Sequence, residues 1–145
     1  MPPVEIQELG EVTDEVVTAF ARLIPQLSTS APAPDRAVLS DVVSAAGTTV
    51  FIARIGGEIV GTLTLVVFRI PTGQRAWIED VVVDDQARGQ GAGEGLTRAA
   101  LDKATSLGAR TVELTSRPSR EGANQLYRRI GFAPRETNVY RMQLE

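Results

Sequence analysis

The chain has 145 residues and a net charge of −3, the size of one ordinary domain and a poor charge balance for a general nucleic-acid binder. It contains no cysteine and no histidine. Disulfides, thiolate or imidazole metal sites, Ser-His-Asp triads and Cys-His pairs are therefore excluded, no metal is expected, and proton transfer falls to Asp, Glu, Tyr, Lys or water.

The opening residues, MPPVEIQELGE, lack the basic and apolar regions of a signal peptide, and no apolar run is long enough to span a membrane. The expectation is a cytoplasmic domain with neither a membrane nor a nucleic-acid partner. VEIQEL alternates as a short strand. Thr13 can cap a helix whose first turn holds Asp14 and Glu15, with Val16, Phe20, Leu23 and Leu27 on one face. Pro25 is expected to end or kink that helix. STSAPAPD reads as a loop. Asp35 can cap a second helix, with Val38, Leu39, Val42, Val43 and Ala46 inward and Gly47 as its stop.

TTVFIARI and IVGTLTLVVFRI then read as strands joined by a Gly56-Gly57 hairpin. PTG turns the chain again, and RAWIEDVVV (residues 75–83) is a third, central strand. Leu96, Ala99, Ala100, Ala104 and Leu107 form a helical stripe ended by Gly108. ARTVELTS is a strand, REGANQLYRRI a helix stopped by Gly131 with Phe132 packing beyond it, and NVYRMQL alternates as a last strand. The order β-α-α-β-β-β-α-β-α-β predicts an α+β domain spanning residues 1–145, with a mixed sheet of about six to seven strands and helices on both faces. Residues 75–83 and 110–116 flank a helix and should pair in parallel, after an antiparallel meander.

Where the third strand gives way to a helix, VVVDDQARGQGAGEGL places glycine at 89, 91, 93 and 95. A strand-to-helix turn aims several free backbone N–H groups at one spot, with the positive end of the helix dipole behind them. Glycine lets a ligand approach that backbone and permits positive φ. The spacing selects among phosphate loops. No lysine follows the glycines, so the P-loop pattern fails, and G-x-G-x-x-G fails in both registers. Arg88-Gly89-Gln90-Gly91-Ala92-Gly93 fits R-x-x-G-x-G. Gly95 lies outside that spacing and suits close packing of helix on sheet.

R-x-x-G-x-G after a strand resembles the acyl-CoA pyrophosphate loop of the GNAT superfamily of N-acetyltransferases. The element order resembles that fold over essentially the whole chain. ANQLYRRIGF resembles the family's second motif, N-x-x-Y ahead of G-F. The resemblance implies acetyl-CoA as co-substrate, with its pyrophosphate on the backbone amides of Arg88, Gly89, Gln90, Gly91, Ala92 and Gly93. It implies that the backbone of Val81, Val82 and Val83 pairs with the pantetheine arm where two strands splay, and that Asn124 bonds that arm. It assigns the catalytic acid role to Tyr127, whose phenol can protonate the departing thiolate. Asn124 and Tyr127, three apart, share a helix side.

The base is left between Glu79, Asp80 and water. Neighbours on a strand face opposite ways, so one of the two carboxylates reaches the cleft unless a bulge intervenes, and Glu79 is favoured. With no cysteine to carry the acyl group, the amine is expected to attack directly in a ternary complex. The acceptor, a small-molecule or peptide amine, would be chosen by residues 23–35 and 137–140, whose sequence carries no legible code. A homodimer through sheet edges or the last strand fits the same resemblance. The alternative function is a non-catalytic module of the same fold that senses acyl-CoA.

Overall fold

The computed structural model describes residues 2–145, which form two compact units divided at Thr115 and Ser116. The first holds strands β1 (Val4–Glu8), β2 (Thr48–Ile55), β3 (Glu58–Ile70), β4 (Gly73–Val83) and β5 (Thr111–Glu113) in one sheet, in the order β1-β2-β3-β4-β5. It also holds helices α1 (Asp14–Leu27), α2 (Arg36–Ser44) and α3 (Ala92–Ser106). The first four strands pair antiparallel and β4 pairs with β5 in parallel, so the sheet is mixed as expected.

Local chemistry sets the boundaries. The Thr13 hydroxyl accepts from the Val16 amide at 3.3 Å and opens α1; the Asp35 carboxylate accepts from Val38 N–H at 2.9 Å and opens α2. Pro25 does not end α1, which runs on to Leu27. Proline there removes the one bond its own N–H would have given, and the bond from Ser28 N to Ile24 O at 2.9 Å completes the last turn. Gly56 and Gly57, both at positive φ, make a two-residue hairpin that fixes the β2–β3 register. At the end of α3, Gly108 N bonds Thr105 O and Ala109 N bonds Ala104 O, both at 3.0 Å, and Gly108 sits at φ +84°. That is a Schellman closure.

The register assigns residues to faces. Leu63 and Leu65 stand on the same side as Gly61, where a Cβ would lie 3.3 Å from Leu96 of α3. Phe51 and Ala53, opposite Leu63 and Gly61, join them. Val50 and Ile52 point the other way, into a core with Val16, Phe20, Leu23 and Ile24 of α1 and Leu39 of α2. Helices thus cover both faces. Leu23, Ile52, Leu63, Leu65 and Leu96 are essentially sealed from solvent. Each contributes about 1.5–3 kcal/mol of burial.

The second unit holds α4 (Glu121–Ile130), closed by Gly131 with Phe132 N bonded to Tyr127 O at 2.9 Å. Three expectations fail. The sheet has five strands rather than six or seven, because residues 138–144 form no strand. Val139, Tyr140, Met142 and Leu144 stand exposed. Alternation marks a segment fit to be half-buried, and without a neighbouring strand it takes no ladder. The strand expected over residues 110–116 is also shorter, three residues long. On α2, Val38 is 49% exposed, so the inward face is Leu39 with Val42 and Val43 half-buried. No helix among the described residues is long and apolar enough to cross a membrane.

Candidate active site

The bulge sits on β4. Thr64 of β3 faces Glu79 and Thr62 faces Val82, so Asp80 and Val81 together oppose Leu63. Asp80 takes φ +50°, the only described non-glycine residue at positive φ. Aspartate is among the residues that tolerate that conformation. Both carboxylates, Glu79 and Asp80, are exposed, although Glu79 stands opposite Thr64 and Asp80 opposite Leu63. Burial of its surroundings, and then the neighbouring Asp80 charge, raise the Glu79 carboxyl above its ordinary range.

Beyond the bulge, β4 has a strand neighbour on one side only. β5 covers Arg75 to Trp77 and then stops, so residues 78–83 face no strand there among the described residues. Val82 is buried with α1, Val83 approaches the Gly61 position from the opposite face, and Val81 is half-buried. Their side chains hold the core while one backbone edge is left without a ladder.

A 3-10 turn, Asp85–Ala87, follows, opened by Asp84 accepting from Gln86 N–H at 3.1 Å. Arg88 is exposed and pairs with Asp85 at 2.8 Å, leaving its backbone for any ligand contact. Gly89 and Gly91 lie at φ +78° and +92°, and a Cβ on either would meet nothing within 4 Å. Packing therefore does not account for these two glycines; backbone conformation and open space do. Gly91 is the residue before α3 and offers no side chain to cap it, so the first-turn amides from Ala92 onward have no intrahelical acceptor. Gln90 and Gly93 are half-buried and Ala92 is buried. Gly95 differs from Gly89 and Gly91: its Cβ would lie 3.1 Å from Ile6 Cδ1, so it lets α3 close on β1.

Sequence reasoning missed what holds this loop. Arg22 of α1 donates from Nε to Asp84 Oδ2 at 3.1 Å and from Nη2 to the Ile59 carbonyl at 2.6 Å. Four residues on, Gln26 Oε1 accepts from the Asp85 amide at 2.9 Å. The Val60 carbonyl accepts from Asp84 N–H at 2.7 Å. An Asp followed by a turn was a readable cap signal; two polar residues on a helix flank gave no hint of where they reach.

In the second unit, Asn124 donates from Nδ2 to the Arg117 carbonyl at 3.0 Å and so fastens the loop leading into α4. Tyr127 is buried, edge-on to Phe132 with ring centroids 5.7 Å apart. Burial raises its phenol above the ordinary value, and Arg120 partly offsets this. The proton stays on Tyr127 Oη through the neutral range.

These features fit a CoA-type ligand: an open glycine turn at a helix start can take a pyrophosphate, and an unpaired β edge can take an amide-bearing arm. The acetyltransferase (GNAT) family matches residues 14–132, and the chain belongs to that family. Acyltransferase chemistry is the chemistry of its class. It is 32% identical over 89 residues to an uncharacterized N-acetyltransferase of Methanocaldococcus jannaschii, a match covering 59% of this chain. The match spans 39% of the length of that relative. The fold is similar to an acetyltransferase of Trypanosoma brucei (TM-score 0.78, 26% identity, 97% of this chain and 99% of that one). It is also similar to an aminoglycoside acetyltransferase from an uncultured soil metagenomic sample (TM-score 0.84, 24% identity, 98% and 97%).

Proposed function

We propose that the chain is an acetyl-CoA-dependent N-acetyltransferase, one domain over residues 1–145, that acetylates a primary amine by direct attack in a ternary complex. The observation that carries it is the sequence of an unladdered β4 edge, a turn with Gly89 and Gly91 at positive φ in open space, and the α3 start. Acetyl-CoA would supply the acetyl group as an activated thioester. Backbone amides from Arg88 to Gly93 hold its pyrophosphate, the β4 backbone from Val81 to Val83 orients its arm, and Asn124 bonds the same arm. A β4 backbone N–H donates to the developing oxyanion. Tyr127 Oη donates its proton to the leaving sulfur. Glu79, with its raised carboxyl, draws a cationic amine and takes up its proton through water.

The acceptor is a small-molecule or peptide amine. The exposed apolar residues from Val139 to Leu144 support a homodimer in which this segment pairs with a second copy. Sedimentation of the full chain against one ending at Glu136 tests this, and an unchanged monomer in both removes it.

Calorimetry with acetyl-CoA, ATP and NAD, followed by thiol release across an amine panel, tests the enzymatic reading. Saturable acetyl-CoA binding with turnover of an amine is expected. ATP binding without CoA binding overturns the donor assignment, and CoA binding with no turnover of any amine favours an acyl-CoA sensor.

A further inference from the structure

Resting on the reading above, we infer that Arg22 and Gln26 are positioning residues that couple donor binding to the acceptor loop. Residues 28–35 join α1 to α2, and α1 ends at Leu27, one residue past Gln26. From the last two turns of α1, three hydrogen bonds reach the other way. Two come from the Arg22 guanidinium, to Asp84 and Ile59, and one runs from the Asp85 amide to Gln26.

Asp84 and Asp85 open the 3-10 turn that leads into Arg88 and the glycines. Asp84 itself is fixed three ways: by Arg22, by Val60, and as the cap of its own turn. Its side chain is only 16% exposed, so the ion pair is better sheltered than an ordinary surface pair. A guanidinium forked between a carboxylate and a backbone carbonyl fixes both direction and distance, which a lysine cannot do. The helix that ends in the acceptor loop and the turn that begins the phosphate loop are thus one hydrogen-bonded piece. A ligand that orders the second also orders the first, and the coupling is reciprocal.

Amide hydrogen exchange of the full chain, with and without CoA as the probe, tests this. In the wild type, CoA should slow exchange over residues 84–93 and, by roughly fivefold, over residues 24–35. Arg22→Met should keep the slowing at 84–93 and lose most of that at 24–35. Arg22→Lys, which can reach one of the two acceptors, should restore part of it. Gln26→Leu keeps the ion pair and should lose part of the response, so the test survives if Arg22→Met fails to fold. Slowing at 84–93 with the same response of 24–35 in all four proteins overturns the coupling alone. No slowing at 84–93 in the wild type overturns the donor assignment and the coupling with it.

Discussion

Ile78 and Val82 lie four residues apart on β4, yet they are buried on opposite faces of the sheet. Ile78 sits opposite Leu65, on the α3 side, whereas Val82 sits opposite Thr62 and joins the core under α1. In a regular strand residues four apart share a face. The extra residue between them changes the phase, and it does so at the point where β4 loses its neighbour. The bulge thus sets which face each side chain takes, while the other edge of β4 is left without a strand because β5 ends opposite Trp77.

Deleting Val81 should remove the bulge and restore regular alternation with Val82 still opposite Thr62 and under α1. Cooperative thermal unfolding by circular dichroism should be retained, while the positive φ at Asp80 is no longer required. Asp80→Val should cost about 1–3 kcal/mol, because a β-branched residue is strained at φ +50°. Asp80→Gly should be tolerated. Urea unfolding of the two variants checks the difference.

Gly91 and Gly95 should separate binding from stability. Gly91→Ala puts a side chain where φ is +92°, a conformation costing roughly 1–2 kcal/mol, and should weaken CoA binding measured by calorimetry. Gly95→Val forces side-chain atoms toward Ile6, already within 3.2 Å of a modest Cβ. It should lower the melting temperature and leave the CoA affinity of the folded protein close to that of the wild type.

Tyr127→Phe keeps the buried ring and its edge contact with Phe132 while removing the proton. The melting temperature should hold. Turnover should fall by about 10²–10⁴ with little change in KM for acetyl-CoA. Because burial raises the Tyr127 phenol, the alkaline fall in rate should lie above the ordinary tyrosine range and should vanish in the variant.

Glu79→Gln tests the raised carboxyl through stability. A carboxyl raised on folding favours the folded state while protonated, below its unfolded value of 4.5, and loses that contribution as pH rises through the higher folded value. The variant has no such loss. Its melting temperature relative to the wild type should therefore improve between about pH 4 and about pH 7. A constant difference across that range would remove the burial argument.

Much of this was legible in the chain. Thr13, Asp35, the Gly56-Gly57 pair and Gly108 act through their own backbone neighbours, and each sits where its chemistry indicates. The positive φ of Gly89 and Gly91 was readable for the same reason, since a turn of this kind is local. The alternation over residues 138–144 does not yield a strand, because alternation states a capacity to pair and says nothing of a partner. The Arg22–Asp84 pair spans 62 positions and was invisible, because long-range polar contacts leave no periodic trace in one sequence. The backbone angle of Asp80, at φ +50°, leaves no mark in the sequence, where it stands only as an alternative to Glu79 and water as the base.

The open half of β4 also bears on how the protein behaves between turnovers. A bare row of main-chain donors and acceptors is what sheet proteins usually hide, since it templates contact with other chains. If the donor's amide-bearing arm completes the sheet, as proposed, donor supply bears on colloidal behaviour too: protein kept with CoA should remain dispersed under conditions in which the empty protein aggregates.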